Sequence, residues 1–183
     1  DDTGGVLHEP HVLRLKDVEQ QWTFDVATAP IVSALRGFTA PVRLEQDQSD
    51  ETLAVLMAHD SDPVSRWDAA QALYLNTLMR DVAARSAGAP APDAPATLFD
   101  AIGSLLESPP ADRALLAEML TLPSEARIGE QFDAIDVAAI DAARRALRAA
   151  IAERFSADFE RLADEHTAPL AYVFNVTEAG RRR

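Results

Sequence analysis

Hydrophobic and polar positions alternate with period two at the start of this chain and switch to a helical period after residue 48. In residues 11–16, Leu13 and Leu15 share one face, and Arg14 and Lys16 the other. In residues 21–26, Trp22, Phe24 and Val26 oppose Thr23 and Asp25. Strict alternation with aromatic and branched residues predicts two strands. The polar link Asp17-Val18-Glu19-Gln20 predicts an antiparallel hairpin between them. Such a hairpin is marginal alone and needs a sheet partner. Residues 1–10, with Gly4, Gly5 and Pro10, predict a loop or frayed end. Pro30 and Pro41 disfavour helix around them and bias the preceding residues to extended backbone. Residues 31–35 and 42–44 can each form a short strand, with Gly37 marking a turn or bulge between them.

Beyond Gln48 the pattern is helical. Ser49 is an N-cap candidate, with Asp50 and Glu51 in the first turn. Leu53, Leu56 and Met57 follow at i, i+3 and i+4, and His59 stands in the last turn. Asp62-Pro63 restarts a helix, Asp as cap and Pro at the first helical position, running to about Ser86. Its apolar face is Trp67, Ala70, Leu73, Tyr74 and Leu78. The two helices predict an αα-hairpin. A stiff Pro/Ala linker covers residues 88–95. Helices are predicted at 96–107, 111–122 and 124–132, punctuated by Pro109-Pro110 and Pro123. Asp136 caps a long helix to about Glu165, with the stripe Ile140, Ala143, Leu147, Ile151, Phe155, Phe159 and Leu162. No fixed repeat period is visible, although short connections favour successive antiparallel helix pairs.

Charge and cysteine content narrow the function classes. The net charge of the 183 residues is −13. That argues against docking on phosphate backbones or anionic lipid. There is no cysteine, which removes disulfide frameworks and thiolate zinc sites. No apolar run is long enough to span a bilayer, and no signal peptide is visible. The chain starts Asp1-Asp2-Thr3 without Met and ends Gly180-Arg181-Arg182-Arg183, so it is read as a fragment of a longer protein.

Each chemical candidate has a plainer reading. His8-Glu9-Pro10-His11 looks like a metalloprotease helix, but the zinc motif H-E-x-x-H needs its histidines at i and i+4. Here they stand at i and i+3 around a proline, which favours an ordinary loop. His59, near Asp60 and Asp62, reads as a histidine stabilised at a helix C-terminus, and Glu165-His166 reads the same way. Trp67 and Tyr74 read as core. Asn175-Val176-Thr177 matches a glycosylation triplet that is common by chance. The Arg181–Arg183 run reads as the solvated first turn of a further helix. There is no nucleophile elbow, P-loop or dinucleotide-binding glycine motif. No catalytic or metal-ligating residue is assigned, and no substrate-binding residue can be named.

Two stretches are specific. Leu35-Arg36-Gly37-Phe38-Thr39-Ala40-Pro41-Val42-Arg43-Leu44 resembles the L-x-x-F-S-A-P-V-x-L segment of bacterial aminopeptidase N, a family of zinc metalloaminopeptidases of the gluzincin group. Thr39 stands where Ser is usual. Ser65-Arg66-Trp67-Asp68-Ala69-Ala70-Gln71 is similar to the family's S-R-W-D-A-A-Q motif without departure. Weaker resemblance continues through residues 20–26, 120–124 and 132–136.

The resemblance implies a mainly α fold with a small β part. Residues 1–46 would be the C-terminal part of a small β-sandwich. Residues 47–183 would be the N-terminal part of a superhelical, HEAT-like domain of antiparallel α-hairpins. It implies a non-catalytic fragment, because the family's H-E-x-x-H, G-A-M-E-N and catalytic Tyr motifs have no counterpart here. The parent would be a cytoplasmic, zinc-dependent hydrolase that removes N-terminal residues from peptides. The helical part would help to enclose its active-site chamber. Zinc would belong to the parent, and this fragment would hold no cofactor. Expected partners are the catalytic domain of the same parent chain and the parent's peptide substrates, with no nucleic acid and no membrane. The exposed β edge would favour self-association. The alternative is a helical-repeat interaction module with a β cap.

Overall fold

A computed structural model describes residues 12–38, 40–42 and 44–166. Seven α-helices lie among them: α1 (Asp50–His59), α2 (Pro63–Ser86), α3 (Ala96–Glu107), α4 (Arg113–Met119), α5 (Glu125–Gly129), α6 (Val137–Arg154) and α7 (Ser156–His166). Polar caps set most of the starts. Ser49 accepts from the Thr52 N–H, Asp112 from Ala114, Ser124 from Arg127 and Asp136 from Ala139. Asp62 accepts from both Val64 and Ser65, with Pro63 just behind it. The end of α2 is a two-bond glycine cap. Gly88, at φ +68°, donates to the Arg85 carbonyl, and Ala89 donates to Ala84.

Helix α2 is the axis of the fold. It packs against α1, α4, α5 and α6. Its buried positions, Ala69, Ala70, Leu73, Tyr74, Leu78 and Val82, cover a wide face because several helices surround it. Helix α1 folds back on α2 and also rests on α3, while α6 carries α5 and α7. One continuous core joins Met57, Leu73, Tyr74, Leu98, Ile102, Leu105, Met119, Ile128 and Ile140. Each fully buried aliphatic side chain contributes roughly 1.5–3 kcal/mol relative to exposure.

The single long helix expected through Glu165 is broken. At Phe155 the backbone leaves the helical region, at φ −115° and ψ 22°. The ring is thereby buried, 6.4 Å from the Phe99 ring and against Gly103 of α3. Arg154 covers the pair, its guanidinium 5.0 Å from the centre of the Phe99 ring. Packing against α3 thus interrupts a pattern that is locally continuous. Helices α4 and α5 are also shorter at both ends than their patterns predict.

The segment before α1 departs further from expectation. Among the described residues there is no strand. Residues 17–19 form a bend, with the Lys16 N–H donating to the Gln20 side chain at 3.1 Å, but the flanking stretches 12–16 and 20–26 do not pair with each other as strands. Residues 31–35 and the described part of 42–44 form no strand either. A ladder satisfies the backbone of a strand only when another strand lies alongside. None does so here. The apolar positions Leu13, Leu15, Trp22, Phe24 and Val26 accordingly remain exposed. Gly37 does mark a turn, a 3-10 turn at Arg36–Phe38, where its φ is +68°.

Candidate functional site

The densest polar cluster sits where the leading segment meets the link between α1 and α2. The link is Asp60-Ser61-Asp62, too short to carry apolar residues away from solvent. The Arg36 guanidinium pairs with Asp60 Oδ1, donates to Ser61 Oγ at 2.6 Å and reaches Ser33 Oγ at 3.2 Å. The Gly37 N–H donates to Asp62 Oδ2 at 3.0 Å. Leu35, just before, holds a positive φ of 53°, which costs a non-glycine residue about 1–2 kcal/mol.

The carboxylates of the link divide their work. Asp60 has only 1% of its side chain exposed; its Oδ1 also accepts from the Asp62 N–H, and its Oδ2 is buried without a partner. Burial alone would raise the Asp62 carboxyl. The N–H groups of Ser65, Gly37 and Val64 outweigh that and hold it below its ordinary 3.8. Arg66 donates to the Met57 and Ala58 carbonyls at 3.0 and 3.1 Å, capping the C-terminus of α1. Burial lowers the Arg66 pKa, against the charge of Asp60, which raises it.

The motif at residues 65–71 is therefore structural at most of its positions. Arg66 closes α1, Ala69 and Ala70 are buried against neighbouring helices, and Gln71 donates to the Thr121 carbonyl at 2.9 Å. Trp67 packs half-buried on the core, Tyr74 is fully buried within it, and Asp68 is exposed. Two other arginines act on carbonyls as Arg66 does. Arg144 binds Pro123 at 2.8 Å and Arg161 binds Leu106 at 3.2 Å. Sequence reasoning assigned no role to Arg36, Arg66 or Gln71. The available signal was a long donor placed beside apolar motif positions and within reach of a helix end.

The other candidates fall apart spatially. His59 is exposed at the end of α1, on a shallow open groove between α1 and α3 that Glu51 and Asp100 also line. Glu165 pairs with Arg161 on α7 at 3.1 Å, far along the chain from that groove. His8, Glu9, Pro10, His11, Asn175, Val176, Thr177 and the Arg181–Arg183 run lie outside the described residues. Among the described residues, no group of three or more His, Asp or Glu converges as a metal site. No described helix is long and apolar enough to cross a membrane. The arrangement at the link can hold backbone and fix geometry.

Comparison with known proteins places this architecture. Residues 50–183 match a family described as a domain of unknown function (DUF3458_C) with ARM repeats. The chain is 36% identical over 98% of its length to aminopeptidase N of Caulobacter vibrioides. It is 41% identical over 77% of its length to aminopeptidase N of Escherichia coli. It spans only 20% and 16% of those relatives. A crystal structure of Legionella pneumophila aminopeptidase A in complex with aspartic acid superposes with a TM-score of 0.69. That match has 26% identity and covers 86% of this chain and 19% of the other.

Proposed function

The chain belongs to the DUF3458_C family of ARM-repeat domains, and from that premise we propose that it is a non-catalytic portion of a cytoplasmic, zinc-dependent aminopeptidase N. The observation that carries this reading is the aminopeptidase N likeness over 98% of the chain, which spans a fifth of that relative. The parent removes N-terminal residues from peptides, and the helical part helps to enclose its active-site chamber. Enclosure matters because excluding water and positioning substrate both favour metal-assisted hydrolysis. In this reading the zinc belongs to the rest of the parent chain.

Residues 1–46 are the end of the parent's β-sandwich in this reading. Their exposed apolar positions support it, since the remaining strands of the sandwich would cover them. Without that cover the same face favours self-association through the β edge.

The test uses the purified 183-residue chain. It is expected to retain no stoichiometric zinc after dialysis and to release no amino acid from aminoacyl substrates. Zinc-dependent release that copurifies with the chain through successive columns would overturn the reading. The ARM-repeat description favours one second reading, a protein-interaction module. Recovery of a defined partner unrelated to aminopeptidases, at the affinity of a stable complex, would support it.

A further inference from the structure

The contacts around Asp60 divide into two sets with different donors. One set closes the helices. Asp62 Oδ1 accepts from Val64 and Ser65 at 3.0 and 2.9 Å, and Arg66 holds the last carbonyls of α1. The other set reaches in from the leading segment, more than twenty residues earlier. It consists of Arg36 on Asp60 and Ser61, and the Gly37 N–H on Asp62 Oδ2. No donor of the second set closes a helix end.

We propose that Arg36 and the Gly37 amide form a separable clasp that sets the direction in which the leading segment leaves the helical part, and that it opens without unfolding α1 or α2. Three features of the geometry make it separable. The caps of both helices survive its loss. Asp60 keeps the Asp62 N–H as a donor and keeps Arg66 close by, so opening does not strand a lone buried charge. Finally, Leu35 and Gly37 hold positive φ values of 53° and 68° beside these contacts. Leucine rarely adopts that backbone, so the turn relaxes once the clasp is gone. Residues 35–37 are then a hinge. A separate tie, Gln48 Nε2 on the Val32 carbonyl at 3.1 Å, keeps the opened segment tethered near α1.

The clasp is tested by hydrogen exchange on the 183-residue chain carrying Arg36→Met, with Ser61→Ala as a milder variant. In Arg36→Met, amide exchange at residues 35–38 is expected to rise about tenfold or more, as for a local opening made easier. Exchange at Leu73 and Leu78, inside α2, stays at the wild-type rate. Ser61→Ala should give a smaller rise at the same amides, since it removes one acceptor and no charge. Unchanged exchange at 35–38 in both variants would show that the contacts hold nothing. Faster exchange in α2, or failure of Arg36→Met to fold, would show that the clasp is part of the core and not separable. Either result overturns the proposal.

Discussion

The leading segment and the helical part carry hydrophobic patterns of similar quality, yet only one is converted into a core. In the helical part, Leu73 and Leu78 of the stripe expected for α2 are 0% and 1% exposed. In the leading segment, Leu15 is 66% exposed although its alternation with Arg14 and Lys16 is equally regular. The difference lies in where the backbone bonds. A helix closes its N–H and C=O groups four residues away and then needs only one face covered. A strand closes them on another strand, and its apolar face cannot be buried before that strand arrives. Pattern alone therefore predicts a helix and the face it will bury, whereas the strands it predicts in the leading segment do not form among the described residues. It does not supply the covering partner.

The sharpest way to break this contrast is truncation on each side of it. Leu105→Ala is expected to lower stability by about 2–5 kcal/mol in urea unfolding, the cost of lost transfer plus a cavity. Leu15→Ala is expected to stay within about 0.5 kcal/mol of wild type, as for an exposed site. Comparable losses for the two would mean that the leading segment shares the core after all.

A second test concerns the polar link that joins the regions. Arg66→Met removes both hydrogen bonds to the α1 carbonyls and a positive charge that interacts with Asp60. A loss of about 1–3 kcal/mol is expected, because two part-buried acceptors at the end of α1 lose their donor. A loss under 0.5 kcal/mol would remove Arg66 from the account of the motif.

A smaller effect is pH-dependent. The folded pKa of Asp62 lies below its ordinary 3.8, so its contribution to stability is fully present above that value. It is lost as pH falls from 3.8 through the lowered folded value. Asp62→Ala should cost about 1 kcal/mol at neutral pH, the usual value of a lost N-cap. The gap to wild type should narrow as the solution is acidified below pH 3.8. A gap that is constant with pH would detach the cap from the ionised carboxylate.

Several features were legible because they are local. Ser49, Asp62 and Asp136 read as caps and act as caps. Gly37 read as a turn and holds φ +68°. The stripe of α2 read as core, and Trp67 and Tyr74 lie in or against it. What escaped the sequence is non-local. Arg36 meets Asp60 across 24 residues, and Gln71 meets the Thr121 carbonyl across 50. Phe155 continues a helical stripe and gives no local sign that α3 will draw its ring out of line. Polar partners separated by a chain reversal leave no period in the sequence, whereas apolar faces do.

The mildest test asks whether the helical core gains anything from its one phenol at the centre of α2. Tyr74 is fully buried, and its hydroxyl has no hydrogen-bond partner among the described residues. A hydroxyl moved from water into such a place costs more than a matching C–H edge does. Tyr74→Phe keeps the ring and deletes the uncompensated group, so the variant is expected to equal wild type or exceed it by up to about 1 kcal/mol. Burial also pushes the Tyr74 phenol well above its ordinary 10.0. The sign follows from linkage. The unfolded phenol ionises from about pH 10 upward while the folded one stays neutral, so wild type loses stability as pH rises past that value. The Phe variant lacks that loss, and its advantage should widen between pH 9 and pH 11, roughly one unit either side of the unfolded midpoint. A destabilised Phe variant with no such widening would mean that the hydroxyl is satisfied. The helical part would then, like the link to the leading segment, depend on a polar contact that no hydrophobic pattern predicts.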